Sequence, residues 1–220
     1  GFSLQCTICI PKRFRTEKGQ HMSEMVKVVV DAMGGDNAPE EPVKAAVEAV
    51  KEKENIQVIL TGVQDVIEAE LRKYPDYPKD RIRVVHASQV IETAEPPVMA
   101  IQKKKDSSIV VGLNLVKKQE ADAFVSSGST GAVLVGGQVI VGRIKGIRRP
   151  PLAPLIPTAK GVSLLIDCGA NVDARPDHLV QFAQMGSIYM ENVVGIKKPR
   201  VAIVNNGAEE EIGRASCRER

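Results

Sequence analysis

The sequence predicts an α/β protein built on a mainly parallel sheet with helices on both faces. Short β-branched runs alternate with longer stretches whose apolar residues recur at helical spacing. Aromatic residues make up only 3% of the chain and Trp is absent, so Val, Ile, Leu and Ala must build the core, as they do around buried parallel strands. Four of the runs end in polar or glycine-rich turns, and sheets of this class bind ligands at the carboxyl ends of their strands.

The elements follow in order. "VKVVVD" (26–31) reads as a buried strand, and "PEEPVKAAVEAVKEKEN" as a helix with Val43, Ala46, Val47 and Val50 inward. "IQVILTG" (56–62) is a second strand, followed by a helix, "VQDVIEAELRKY", with Val63, Ile67 and Leu71 on one face. "RIRVVHA" (81–87) is a third strand, and two helical patterns surround "KKKDSS". "ADAFVSSG" (121–128) is a short strand. "TGAVLVGGQVIVGRI" is a buried helix, because "GST" supplies its start and its small residues permit close packing. Pro-rich "RRPPLAPLIPTAKG" (148–161) reads as an extended loop shaping a site. "VSLLIDCG" (162–169) is a further strand, "PDHLVQFAQMGSIYMENV" a helix with Leu179, Phe182, Ala183 and Gly186 inward, and "RVAIVNNG" (200–207) a last strand.

Composition narrows the function. A net charge of +3 and the scarcity of aromatics give neither an electrostatic footprint nor stacking platforms, so nucleic acid is not a predicted partner. The longest apolar stretch, "AVLVGGQVIVG" (132–142), is too short to span a bilayer. Residues 1–24 carry no hydrophobic period and read as a vector-derived leader, with Met25 as a natural start; 211–220 read as a read-through tail, leaving 25–210 as the domain. On that division Cys168 is the one cysteine of the body, so no disulfide framework is predicted and the compartment reads as reducing cytoplasm. "CTIC" (6–9) has half the spacing of a zinc site, and nothing completes it; neither metal nor cofactor is predicted.

The strand-end turns hold the candidate chemistry. In "DAMGGD" (31–36), Gly34 and Gly35 suit a turn of positive φ or a backbone crowded by a ligand. Asp31 and Asp36 can then flank one space, where they orient hydroxyls, receive a proton or hold a cation; alternatively Asp36 caps the next helix and Asp31 bonds a neighbouring turn. "SSGSTGA" (126–132) has the parts of an anion cradle. Gly128 and Gly131 admit a close backbone, and Ser129 or Thr130 can cap the following helix or reach a phosphate beside its positive end. The alternative is a capped helix after a tight turn. It is not a P-loop, and no dinucleotide fingerprint is present. "DCGAN" repeats the device with Asp167, Gly169 and Asn171, an amide able to donate to an oxyanion, while His178 reads as structural. Arg143 and Lys145, after the small-residue helix, are candidate cations for phosphate; Arg148 and Arg149 are candidates for steering an acidic partner.

"VDAMGGDNAPE", "SSGSTGA", "VGRIKGIRRPPLAPLIPT", "DCGANVDARPDHLVQFAQMGS" and "PRVAIVNNGAEE" resemble, in order, motifs of the bacterial phosphate acyltransferase family PlsX. The resemblance covers about Met25 to Glu210. It implies a three-layer α/β/α sandwich related to phosphate acetyltransferases and isopropylmalate dehydrogenases. It implies transfer of an acyl chain from acyl carrier protein to inorganic phosphate, the acyl phosphate feeding glycerol-3-phosphate acylation in phospholipid synthesis. It also implies a cytoplasmic homodimer loosely associated with the membrane. Many members have Asn at the position of Ser129 and Val at that of Cys168. Members continue past "NNGAEE", which implies that this chain is C-terminally truncated, with an open strand at "RVAIVNN", poor folding alone and weak activity.

The chemistry read from the residues agrees with the resemblance. Attack of phosphate on a thioester requires a held dianion, a stabilised oxyanion and a departing thiolate. The glycine-turn N–H groups, Ser129, Thr130, Asn171 and Lys145 suit the first two tasks, and no Cys or Ser with an adjacent His points to an acyl-enzyme. Two rivals stand beside this reading. An isopropylmalate-type dehydrogenase needs clustered acids and a cofactor loop, and an inactive fragment that binds acyl carrier protein predicts binding without turnover.

Overall fold

The computed structural model describes residues 7–9, 25–171 and 173–204. The chain divides into two compact units, Gly1–Gly142 and Arg143–Arg220.

The first unit is a three-layer α/β/α arrangement. Its strands are β1 (Thr7–Cys9), β2 (Val26–Asp31), β3 (Ile56–Gly62), β4 (Ile82–His86) and β5 (Ala123–Ser126), in the order β1-β5-β2-β3-β4. β5, β2, β3 and β4 run parallel, as the alternating pattern predicts. β1 lies antiparallel on β5, in a stretch whose side chains predict no strand. A sheet edge offers unpaired backbone groups to any extended segment, so pairing there does not need a hydrophobic pattern.

Strand parity sorts the core onto the two faces. Val58 and Leu60 of β3 pack with Val43, Ala46, Val47 and Val50 of α1 (Glu40–Glu52) and with Ile67 and Leu71 of α2 (Gln64–Leu71). Val29 and Ile59 point the other way, with Phe124, toward α3 (Pro97–Lys103), α4 (Ser108–Lys117) and α5 (Thr130–Gly136). Each buried Val or Ile contributes roughly 1.5–3 kcal/mol relative to exposure. Gly112 lets α4 lie close on the sheet, since a Cβ there would sit 2.5 Å from Phe124 Cε2. Ser107 caps α4 by accepting from the Val110 N–H at 3.4 Å. The stretch 130–141 is helical as predicted, with α5 continuing into a π-helical turn, Gly137–Val141.

The second unit departs from the alternation. β6 (Leu155–Thr158) lies within the Pro-rich segment read as a loop, and pairs antiparallel with β7 (Gly161–Leu164). The predicted strand 162–169 therefore survives only as β7, in a two-stranded ribbon and not in the parallel sheet. Proline is compatible with such a ribbon because each strand has an open edge. α6 (Pro176–Tyr189) forms as predicted and runs into a π-helical turn, Met190–Val194. Phe182 and Gly186 are buried, with Leu179 and Ala183 half-buried. The predicted strand 200–207 has no ladder over its described part, 200–204, where Val201, Ile203 and Val204 are exposed. Residues 205–207 lie outside the described residues. An apolar cavity of about 740 Å³ opens between the ribbon and α6, lined by Val162, Leu164, Ile166, Phe182 and Met190 among others.

Candidate active site

β2 and β5 are parallel neighbours, so their carboxyl ends emerge together. The register Val30↔Val125 sets Asp31 beside Ser126, and both are buried. Ser126 Oγ donates to Asp31 Oδ2 at 2.8 Å and accepts from the Gly128 N–H at 3.0 Å. The Met33 N–H donates to Asp31 Oδ1 at 3.1 Å. Burial pushes the Asp31 carboxyl above the ordinary aspartate value, against hydrogen bonds from the Ser108 and Ser126 hydroxyls and the Met33 and Gly34 N–H groups. Ser127 Oγ closes the arrangement by donating to the Gly34 carbonyl at 3.0 Å.

The two glycine turns thus meet, as their shared sheet edge predicts, but their glycines face the chain's own atoms. A Cβ on Gly34 would lie 2.6 Å from Asp31 Oδ2 and 2.8 Å from the Gly128 nitrogen. Gly128 in turn faces Gly34 Cα, and Gly131 faces the Pro97 ring. Gly35 takes the positive φ, at 98°, that its turn requires. Of the two roles open to Ser129, the cap is observed: its Oγ accepts from the Ala132 N–H at 3.3 Å. Thr130 is the first residue of α5, with its own contact in the structure. Asp31 and Asp36 differ in setting, Asp31 being buried and Asp36 exposed. Asp36 does not cap α1, whose N-cap is Pro39 without a side-chain bond.

In the second unit, Asp167 organises a separate turn. Its Oδ1 accepts from the Leu152 N–H at 2.6 Å and its Oδ2 from the Asn171 N–H at 2.7 Å. Asn171 Nδ2 donates to the Pro150 carbonyl at 3.2 Å, which ties the predicted oxyanion donor to the Pro-rich segment. Cys168 is a half-buried free thiol. Arg148 pairs with Asp177, and its N–H donates to Gln181 Oε1 at 3.0 Å. The Arg143 guanidinium donates to the Arg148 carbonyl at 2.5 Å. Lys145 and Arg149 are exposed. His178 is structural: it is buried, and its Nδ1 accepts from the Arg175 N–H at 3.2 Å.

Sequence reasoning missed Ser126. Ser126 carried a signal, since it shares the buried parity of Phe124 at the end of its strand, and a buried hydroxyl requires partners. Among the described residues no three His, Cys, Asp or Glu side chains gather as a metal site, and no helix is long and apolar enough to cross a membrane.

A phosphotransacetylase from Streptococcus pyogenes shares this fold, with a TM-score of 0.60 at 18% identity over 84% of this chain and 60% of that one. A phosphate acyltransferase of Alkaliphilus oremlandii is 57% identical over 188 residues, 86% of this chain and 56% of the relative. One from Clostridium novyi is 50% identical over 194 residues, 88% of this chain and 58% of the relative. The chain thus spans a little over half the length of these curated relatives. Residues 26–220 match the family described as fatty acid synthesis protein, and the chain belongs to that family.

Proposed function

We propose that this chain carries the phosphate-binding part of an acyltransferase that moves a fatty acyl group from acyl carrier protein to inorganic phosphate. The observation that carries the reading is the meeting of two glycine turns, 31–36 and 126–131, at the carboxyl edge of a parallel sheet, joined through Asp31 and Ser126. The names of the relatives support the same chemistry. A phosphate oxygen attacks the thioester carbonyl carbon, the C–O bond forms, and the C–S bond then breaks. The phosphate proton ends on the departing thiol, and the products are acyl phosphate and free carrier protein.

The anion falls to Thr130 and Gly131 at the positive end of α5, with Gly35, because the Gly128 N–H is already bonded to Ser126 Oγ and Ser129 Oγ serves as the cap. Lys145 and Asn171 act on the charge of the tetrahedral intermediate, a role that rests on the resemblance. Among the basic residues, the exposed Lys145 and Arg149 are the better candidates for attracting an acidic carrier protein, since Arg148 pairs with Asp177. The proposal extends to a cytoplasmic homodimer, peripheral association with the membrane and a glycerol-3-phosphate acyltransferase as consumer of the product.

Acyl carrier protein charged with a fatty acid, inorganic phosphate and this chain, followed by hydroxylamine trapping, test the reading. Phosphate-dependent hydroxamate is expected. Its absence at saturating phosphate overturns the reading for this chain.

A further inference from the structure

The turns that would hold phosphate are themselves held by a buried polar relay. Asp31 is 1% exposed and Ser126 3%. The directions of the bonds are set by chemistry. The Gly128 N–H can only donate, so Ser126 Oγ accepts it at 3.0 Å, and the Ser126 proton goes to Asp31 Oδ2 at 2.8 Å. The Met33 N–H donates to Oδ1 at 3.1 Å. Asp31 therefore serves as an acceptor shared by both turns. Its burial also keeps it from contact with a reacting group in solvent.

The same relay sets the spacing of the turns. Gly34 and Gly128 lie too close for a side chain, a Cβ on Gly128 falling 3.1 Å from Gly34 Cα. The bonds from Ser126 Oγ to Asp31 Oδ2 and from Ser127 Oγ to the Gly34 carbonyl join the two turns at that distance. We propose that Ser126 is a positioning residue that fixes Asp31 as the shared acceptor locking the 31–36 turn to the 126–131 turn. Asp31 orients the phosphate turn and does not transfer a proton. This deepens the acyltransferase reading and rests on it. Loss of the lock displaces the anion donors, and small misplacements of a bound reactant cost up to about a hundredfold in rate.

The test uses the full chain as wild type, Ser126→Ala and Ser127→Ala, the latter removing the bond from Ser127 Oγ to the Gly34 carbonyl. Phosphate binding is followed by ³¹P NMR with inorganic phosphate alone, and turnover by hydroxamate trapping at varied phosphate, carrier protein and pH. Ser126→Ala leaves the Gly128 N–H without its acceptor and should raise the phosphate KM roughly tenfold or more. The carrier-protein KM should stay unchanged, and Ser127→Ala should act in the same direction but less. The acidic limb of kcat should keep its position in Ser126→Ala. If Asp31 were the base, losing the Ser126 donor would raise its pKa and move that limb to higher pH. Unchanged phosphate KM in both variants, or a shifted limb, overturns the proposal. If Ser126→Ala does not fold, Ser127→Ala carries the KM test. A wild type that binds phosphate beside unaffected variants removes this proposal alone, whereas a wild type that binds none removes the underlying reading too.

Discussion

Gly34 lies three residues after Asp31, the last residue of β2, and Gly169 lies two residues after Asp167, beyond the end of β7. The positions demand glycine for opposite reasons. At Gly34 the demand is spatial, since an added Cβ would meet Asp31, Ser126 and the Gly128 backbone within 3 Å. At Gly169 it is conformational: φ is +78° and nothing lies within 4 Å of an added Cβ. The difference follows the strands that feed the turns. β2 lies inside a sheet with helices on both faces, so the turn after it is packed against its neighbours. The turn at Gly169 follows β7, half of a two-stranded ribbon whose residues are exposed or half-exposed. A turn acquires dense packing from the layers around its strand, and the same sequence device without them is only a bend.

The largest expected effect tests that packing directly. Phe124→Ala empties the interface of β5 with α4 and should cost about 3–5 kcal/mol. Leu164→Ala in the half-exposed ribbon should cost about 1 kcal/mol or less, in line with its partial burial. Denaturant unfolding followed by amide exchange in each unit compares them, and equal costs would break the comparison. Next, Gly34→Ala should destabilise the first unit by about 1–3 kcal/mol through overpacking and abolish phosphate binding. Gly169→Ala should cost about 1–2 kcal/mol through its left-handed backbone and leave the melting of the first unit unchanged. Thermal melts and ³¹P NMR check both.

Acid titration sharpens the contrast between packed and open carboxylates. Burial raises the folded pKa of Asp31, so the stability from its neutral form is complete below the unfolded value and is lost as pH rises through the folded one. The stability of wild type relative to Asp31→Asn should therefore decline with rising pH across that window. Asp106 behaves oppositely. Hydrogen bonds from the Ser88 hydroxyl and N–H lower its pKa, so its contribution is present above the unfolded value and lost as pH falls through the folded one. Carboxyl ¹³C titration should find the Asp31 midpoint above the ordinary aspartate value and the Asp106 midpoint below it. The smallest effect belongs to Arg148→Ala. This exposed pair with Asp177 is worth at most about 1 kcal/mol, less at high salt, which melts at two ionic strengths measure.

Legibility in the sequence followed the reach of each interaction. The inward face of α1 was readable because Val43, Ala46, Val47 and Val50 recur at the helical period. The caps at Ser107 and Ser129 are local hydrogen bonds, and the one on α5 was among the two roles read for Ser129. β6 was not readable, because Pro157 signals a loop and only the partner strand gives its segment a ladder. Both aspartates of "DAMGGD" could be named as candidates, yet which one is buried could not, since β2 places one inside the sheet edge and the turn carries the other outward. The pairing of Arg148 with Asp177 and Gln181 was not readable, because α6 brings them from some thirty residues along the chain.

The sequence by itself determined the alternation of strands and helices in the first unit, its parallel sheet and the edge where its turns gather. Period and parity are properties of a single segment, and burying one face of each leaves few arrangements. Tertiary structure alone decided that Gly34 touches Gly128, that Ser126 serves Asp31, and that residues 155–164 form a separate ribbon. Those contacts join segments far apart in the chain. Their geometry depends on how helices cross the sheet, and no local pattern of side chains encodes that crossing.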